Sequence, residues 1–137
     1  MWHITQATTN YVYPTCAEKQ LLTSPSYIIK FIQDTGKNLK YCCGTDSSTY
    51  PDRNQKLTVV ETTTPTDVTN QVSLKLGSWK AYVYEISAAD LSNVVSLALV
   101  DYTALTLVHE ERVEVSTTAN TFASYTGGQT TLVQYGN

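Results

Sequence analysis

Charged residues are scarce in this sequence, and it contains no long apolar run. Asp, Glu, Lys and Arg together make up 15% of the 137 residues, and the formal net charge is −3. Nucleic-acid-binding domains usually carry a basic footprint, and no cluster of Lys or Arg occurs here. The longest apolar tract, residues 94–100, is far shorter than the roughly 18 residues that span a bilayer. We therefore expect no direct sequence-specific binding to nucleic acid and no association with a membrane.

Cysteine is also rare, and the sequence has only Cys16, Cys42 and Cys43. An odd count, with an N-terminus that does not resemble a secretory signal, fits a protein made in a reducing cytosol. On a strand, the adjacent Cys42 and Cys43 would point to opposite faces, so they are poor partners for a disulfide. A disulfide from Cys16 to either of them is left open.

β-Branched and aromatic residues dominate the rest of the sequence. Thr is the commonest residue, and Tyr occurs ten times against two Phe. These residues suit a pleated, half-buried surface, whereas the helix formers Ala, Glu and Lys are sparse. Since 42% of the residues are apolar, the chain can still bury a core. The composition favours β-sheet, and the length favours one domain over residues 1–137.

Apolar and polar residues alternate along most of the chain, which is typical of strands. Strands are predicted at residues 10–15, 27–32, 39–45, 56–62, 71–76, 79–86, 102–108, 111–116 and 130–135. A short helical excursion is predicted after residue 86, with Ser87 as its N-cap. The pattern predicts an all-β fold: a single β-sandwich of about seven to eight antiparallel strands, immunoglobulin-like, with a jelly roll as the alternative.

The sequence shows no assembled catalytic group. His109 stands beside Glu110 and Glu111, which we interpret as a solvated cluster near a strand end. Glu85 shares the strand parity of apolar neighbours, but we interpret it as lying beyond the buried stretch. There is no nucleophile elbow or phosphate-binding loop, and the cysteines and carboxylates lack the spacing of zinc or calcium sites. We therefore predict that the chain is not an enzyme and holds no cofactor or metal.

Tyrosines are the side chains most suited to contact another molecule. Tyr combines a large apolar ring with a polar tip and is enriched at interfaces. The candidate interface residues are Tyr11, Tyr13, Tyr50, Tyr82 and Tyr84. Two pairs, Tyr11 with Tyr13 and Tyr82 with Tyr84, each fall on one face of a predicted strand. The alternative is that these rings only pack across strands on a wet sheet face.

Several segments follow one another in an order that matches a known family of proteins. They are residues 16–31, residues 41–42, DSSTYPDRNQK at 46–56 and LGSWKAYVYE at 76–85, with a fainter match in VHEERVEV at 108–115. Together they resemble a family of small virion proteins encoded by phages of Bacteroidetes. The resemblance covers the first 85 residues well and the rest loosely, and residues 87–105 depart from the pattern.

This resemblance implies a small β-sandwich that is a minor capsid, decoration or connector-associated subunit. It would be made in the host bacterial cytoplasm, be located in the virion and assemble in multiple copies with other phage capsid or connector proteins. The family offers no catalytic residue to transfer to this chain.

Two other functions are weighed against this one. A host-attachment or carbohydrate-binding module would use Trp2 and Trp79 as platforms for sugars, although strand parity predicts that Trp79 packs in the core. A small hydrolase would need His109 as its base.

Overall fold

The computed structural model describes residues 1–14, 26–35, 38–44 and 55–117. The strands in these ranges are β1 (Trp2–Thr5), β2 (Thr9–Val12), β3 (Ser26–Gln33), β4 (Leu39–Gly44), β5 (Leu57–Glu61), β6 (Gln71–Val72), β7 (Gly77–Ile86) and β8 (Thr106–Ser116). A helix α1 (Ala88–Ser92) and two 3-10 turns, Leu97–Leu99 and Tyr102–Ala104, lie between β7 and β8. The all-β class predicted from the sequence is confirmed.

The strands form two sheets, and part of their order is that of an immunoglobulin-like sandwich. The first sheet has the order β1-β8-β7-β3-β4, and the second has the order β2-β5-β6. The run β8-β7-β3-β4 follows the G-F-C-C′ order, and β2 beside β5 follows the B-E order, of that fold. Not every pairing is antiparallel, since β1 runs parallel to β8 and β5 runs parallel to β6. Alternation of side chains carries no information on strand direction, so the sequence did not reveal these two pairings.

One apolar core lies between the two sheets. Alternate residues of β3 and β7 point into it, with Phe31 and Trp79 fully buried. Leu57 and Val59 of β5 face them from the second sheet. Burying such a side chain contributes roughly 1.5–3 kcal/mol relative to leaving it in water, so this layer dominates the stability. The predicted burial of Trp79 is confirmed.

A second apolar cluster lies on the outer face of the first sheet, beneath residues 87–105, which we call the strap. Leu97 of the strap packs with Ile28, Cys43 and Ile86 of the sheet. The strap begins as predicted, because the Ser87 hydroxyl caps α1 by accepting the N–H of Asp90 at 3.1 Å. The long connection between β7 and β8 therefore covers a sheet face instead of extending into solvent.

Three predicted boundaries are wrong. The strand predicted at residues 71–76 is limited to Gln71–Val72, and Leu76 at its predicted end is 50% exposed. The strand predicted to begin at Trp79 begins at Gly77, which has φ of 123°. In place of the two strands predicted at residues 102–108 and 111–116, residues 102–104 form a 3-10 turn and residues 106–116 form one continuous strand, β8. The strand predicted at residues 130–135 lies outside the described residues.

The two adjacent cysteines point to opposite faces of β4, as predicted. Cys42 lies in the main core, whereas Cys43 lies beneath the strap. Both are free thiols, and burial raises the pKa of each. Neither is therefore primed to act as a thiolate. Cys16 lies outside the described residues.

Candidate interaction surface

Among the described residues, the most exposed Tyr, Phe and Trp rings lie on the outer face of the second sheet. Tyr11 in β2 is 52% exposed, and Tyr13, which directly follows β2, is 56% exposed. Their shared face results from the period of two along a strand, which also turns Val12 into the core. The Lys56 ammonium lies 4.5 Å from the centroid of the Tyr11 ring, which holds that ring at the surface.

The second predicted pair lies on the other sheet and is less accessible. Tyr82 and Tyr84 both face outward from β7, and each is only partly exposed. The Lys80 ammonium lies 5.5 Å from the centroid of the Tyr82 ring. Tyr84 packs under the strap, where its ring centroid is 5.0 Å from that of Tyr102. The two pairs therefore occupy opposite outer faces of the sandwich and cannot form one surface. Tyr50 lies outside the described residues.

A tyrosine cluster fixes the strap to the first sheet. Tyr102 stacks on Tyr41 with ring centroids 5.3 Å apart and leans on Tyr84. Its hydroxyl donates to the carbonyl of Leu97 at 2.6 Å. Burial, with smaller contributions from the neighbouring phenols, raises the pKa of Tyr102, which keeps this donor protonated. The sequence pattern predicts a strand at Tyr102, so it does not indicate this cluster.

The loop before β6 also holds the strap. The Asp67 carboxylate accepts the N–H of Leu97 at 3.2 Å and the N–H of Val68 at 2.8 Å. A hydrogen bond with the Ser96 side chain is the main reason that the pKa of Asp67 lies below its usual value. The carboxylate form therefore stabilises the strap in its docked position.

His109 does not belong to a solvated strand-end cluster, and that interpretation is wrong. It lies within β8, and its ring stacks on the buried Trp2 with centroids 5.7 Å apart. Its Nε2 atom is 2.9 Å from one carboxylate oxygen of Glu111, and the other oxygen accepts from the Met1 ammonium at 2.6 Å. Burial alone would raise the pKa of Glu111, but the bonds from the ammonium and His109 outweigh it and lower that pKa. The cluster ties β1 to β8.

Glu85 is also more buried than the sequence indicated. It is 2% exposed and pairs across strands with Tyr27, because β7 continues to Ile86. The expectation that it lies beyond the buried stretch is therefore wrong.

Glu61 is a second buried carboxylate, and it has a structural role. One oxygen accepts the N–H of Ala7 and the other accepts the N–H of Leu74, each at 2.8 Å. Ala7 has φ of 59°, so its carboxylate partner stabilises a turn that a non-glycine residue rarely adopts. Glu61 thus joins the β1–β2 turn to the chain that follows β6.

Within the part of the chain that the structure describes, no group of three or more His, Cys, Asp or Glu side chains is placed to hold a metal ion. No helix there has the length and apolar character needed to cross a membrane.

Comparison with protein-family models, with curated proteins and with solved structures finds no match to this chain. Its resemblance to phage virion proteins therefore stays a prediction from the sequence segments that carry it.

Proposed function

We propose that this chain is a non-catalytic structural subunit that acts through protein–protein contacts. These contacts are made by the outer face of the second sheet around Tyr11 and Tyr13, which we call the β2 face. The observation that carries the proposal is the exposure of Tyr11 and Tyr13 side by side on that face. Each ring leaves roughly 100 Å² in water, and covering that area contributes about 2 kcal/mol per ring. Isolated exposed apolar groups are common on proteins, but two adjacent aromatic rings are typical of an interface.

The surrounding surface also supports this proposal. Thr58 and Val60 of β5 are partly exposed beside the two rings, and within the described ranges β2 and the outward residues of β5 carry no charge, with Lys56 lying just before β5. Interfaces are depleted in charged residues at their centres and enriched in tyrosine. A surface of this kind suits a subunit whose face is covered in an assembly.

We further propose that the assembly is a phage particle, with the chain as a minor capsid, decoration or connector-associated subunit. This part rests on the resemblance of sequence segments, of which residues 76–85 form most of β7 and residues 16–25 lie outside the described ranges. In this proposal the chain is located in the virion in multiple copies, and its partners are capsid or connector proteins.

Mass spectrometry of purified particles tests both parts of the proposal. We expect the chain at a fixed copy number per particle in the phage that encodes it. A Tyr11→Ser, Tyr13→Ser double variant should be depleted from particles about tenfold or more, whereas a Tyr82→Ser control should enter normally. Absence of the wild-type chain from particles would reject the virion location, and normal entry of the double variant would reject the β2 face as the contact.

The carbohydrate-binding alternative loses its two assigned platforms. Trp2 and Trp79 are 8% and 0% exposed, so neither indole offers a face on which a sugar can stack. Among the described residues, Tyr11 and Tyr13 are exposed aromatic rings on which a sugar could still stack. Glycan-array binding that disappears in the double variant would favour a carbohydrate ligand over a protein partner.

A further inference from the structure

We propose that the edge of β2 that no described strand covers pairs, antiparallel, with β2 of a second copy about a two-fold axis at Tyr11. The two second sheets would then form one continuous sheet. This inference rests on the proposed function, because it names the partner that the same surface binds.

The backbone of β2 presents alternate residues to that edge. Glu61 donates its N–H to the carbonyl of Thr8, and Gln55 donates its N–H to the carbonyl of Pro14. Hydrogen-bonded positions alternate along an antiparallel pair, so the even-numbered residues between 8 and 14 bond to β5. The N–H and carbonyl groups of Thr9, Tyr11 and Tyr13 therefore point away from β5, towards the edge.

No strand within the described ranges pairs with β2 at this edge. The backbone groups that face it belong to the same residues, Tyr11 and Tyr13, whose rings are exposed on the outer face. A strand added here would meet both a row of hydrogen-bonding groups and the aromatic rings beside it.

Two other sheet edges are covered by groups of this chain. On β4, the N–H of Cys43 donates to the carbonyl of Thr69 at 2.8 Å. On β1, the N–H of Thr5 donates to the side-chain oxygen of Asn10 at 3.0 Å, and the amide of Asn10 returns a bond to the Thr5 carbonyl at 3.1 Å. In the described part of the chain, the edge of β2 has no comparable cover.

The charge pattern favours a second copy as the occupant. Residues 4–17 contain no charged side chain, whereas exposed edge strands usually carry charges that block pairing with another chain. Lys56 precedes β5, one strand inward from this edge, so no charged side chain lies on β2 itself.

The side chains are also self-complementary in this arrangement. Tyr11 would lie opposite Tyr11 of the second copy, and Thr9 would lie opposite Tyr13. Aromatic pairs and aromatic–β-branched pairs are favourable cross-strand neighbours. A short edge buries less than the roughly 1,600 Å² of a standard interface, so the contact of two isolated chains is weak and gains strength by repetition in an assembly.

Sedimentation equilibrium over a range of concentrations tests this pairing. We expect a reversible monomer–dimer equilibrium, which a Tyr11→Pro variant weakens about tenfold or more. Proline at this position removes an N–H that faces the edge and leaves the bonds to β5 in place. A circular dichroism spectrum like that of the wild type would confirm that the variant folds.

Disulfide trapping supplies a second measurement that does not depend on the proline. Directly opposed hydrogen-bonded residues have Cα atoms about 5.5 Å apart, which suits a disulfide. We expect a Tyr11→Cys variant to form covalent dimers on mild oxidation, and a Tyr82→Cys control on the other sheet to form few.

Three results would overturn the pairing: a wild-type chain that stays monomeric at about 0.5 mM, a dimer that the proline leaves unchanged, or equal trapping of both cysteine variants. A monomeric chain that still loses its place in particles when Tyr11 and Tyr13 are replaced would reject self-pairing alone. The proposed function would then stand, with a different partner at the edge.

Discussion

The buried carboxylate of Glu61 has both oxygens bonded to backbone N–H groups of distant segments, at Ala7 and Leu74. Glu61→Ala leaves one buried donor, at Leu74, and one part-buried donor, at Ala7, without this partner, so we expect the free energy of unfolding to fall by about 2 kcal/mol. Glu61→Gln keeps one carbonyl acceptor and should lose less. Urea denaturation measures both. A loss no larger than that of Glu110→Ala, an exposed residue on β8, would contradict this role.

Asp67 gives the strap a dependence on pH. Its pKa is lowered in the folded protein, mainly by the Ser96 hydrogen bond, so its stabilising effect is present above the unfolded pKa of about 3.9. That effect is lost as the pH falls through the lowered folded pKa. We expect the melting temperature of the wild type to drop more than that of Asp67→Asn between about pH 5 and pH 2. Parallel pH profiles for the two proteins would contradict this.

The strap is the element whose docking depends most on a single ring. Tyr102→Ala removes the stack on Tyr41, the contact with Tyr84 and the bond to Leu97, so we expect about 1–3 kcal/mol of lost stability. Hydrogen exchange should accelerate in residues 87–105 while β3 and β7 stay protected. Thr103→Ala, at the exposed neighbouring position, serves as the control. Unchanged exchange in the strap after Tyr102→Ala would contradict this docking.

Alternation of apolar and polar residues predicts best the strands that are buried on one face along their whole length. Residues 27–32 and 79–86 were predicted as strands, and they form most of β3 and β7 because their inward residues fill the core. The strand predicted after Gln71 failed because Val72 and Leu74 are held in place by β5 and Glu61, not by a continuing ladder. Local pattern cannot show such a contact, which depends on residues far apart in the sequence.

The surface was predictable only in part, for a related reason. Strand parity placed Tyr11 beside Tyr13 and Tyr82 beside Tyr84, and both placements are correct. Parity could not show that the strap covers Tyr84, or that His109 packs on Trp2 in the middle of β8. Each of these depends on the packing of a segment distant in the sequence onto a sheet face.

At the scale of the whole molecule, the two outer faces of the sandwich differ in what covers them. The strap lies over the face of the first sheet, whereas the β2 face presents its two rings to solvent. A subunit that assembles through one face and keeps the other closed by its own chain would have this arrangement.

Hydroxyl-radical footprinting of the free chain and of purified particles, read by mass spectrometry, tests the contact role of the β2 face most directly. We expect Tyr11 and Tyr13 to be oxidised readily in the free chain and to become protected in particles, while the oxidation of Tyr82 changes little. Equal oxidation of Tyr11 and Tyr13 in the two states would contradict it.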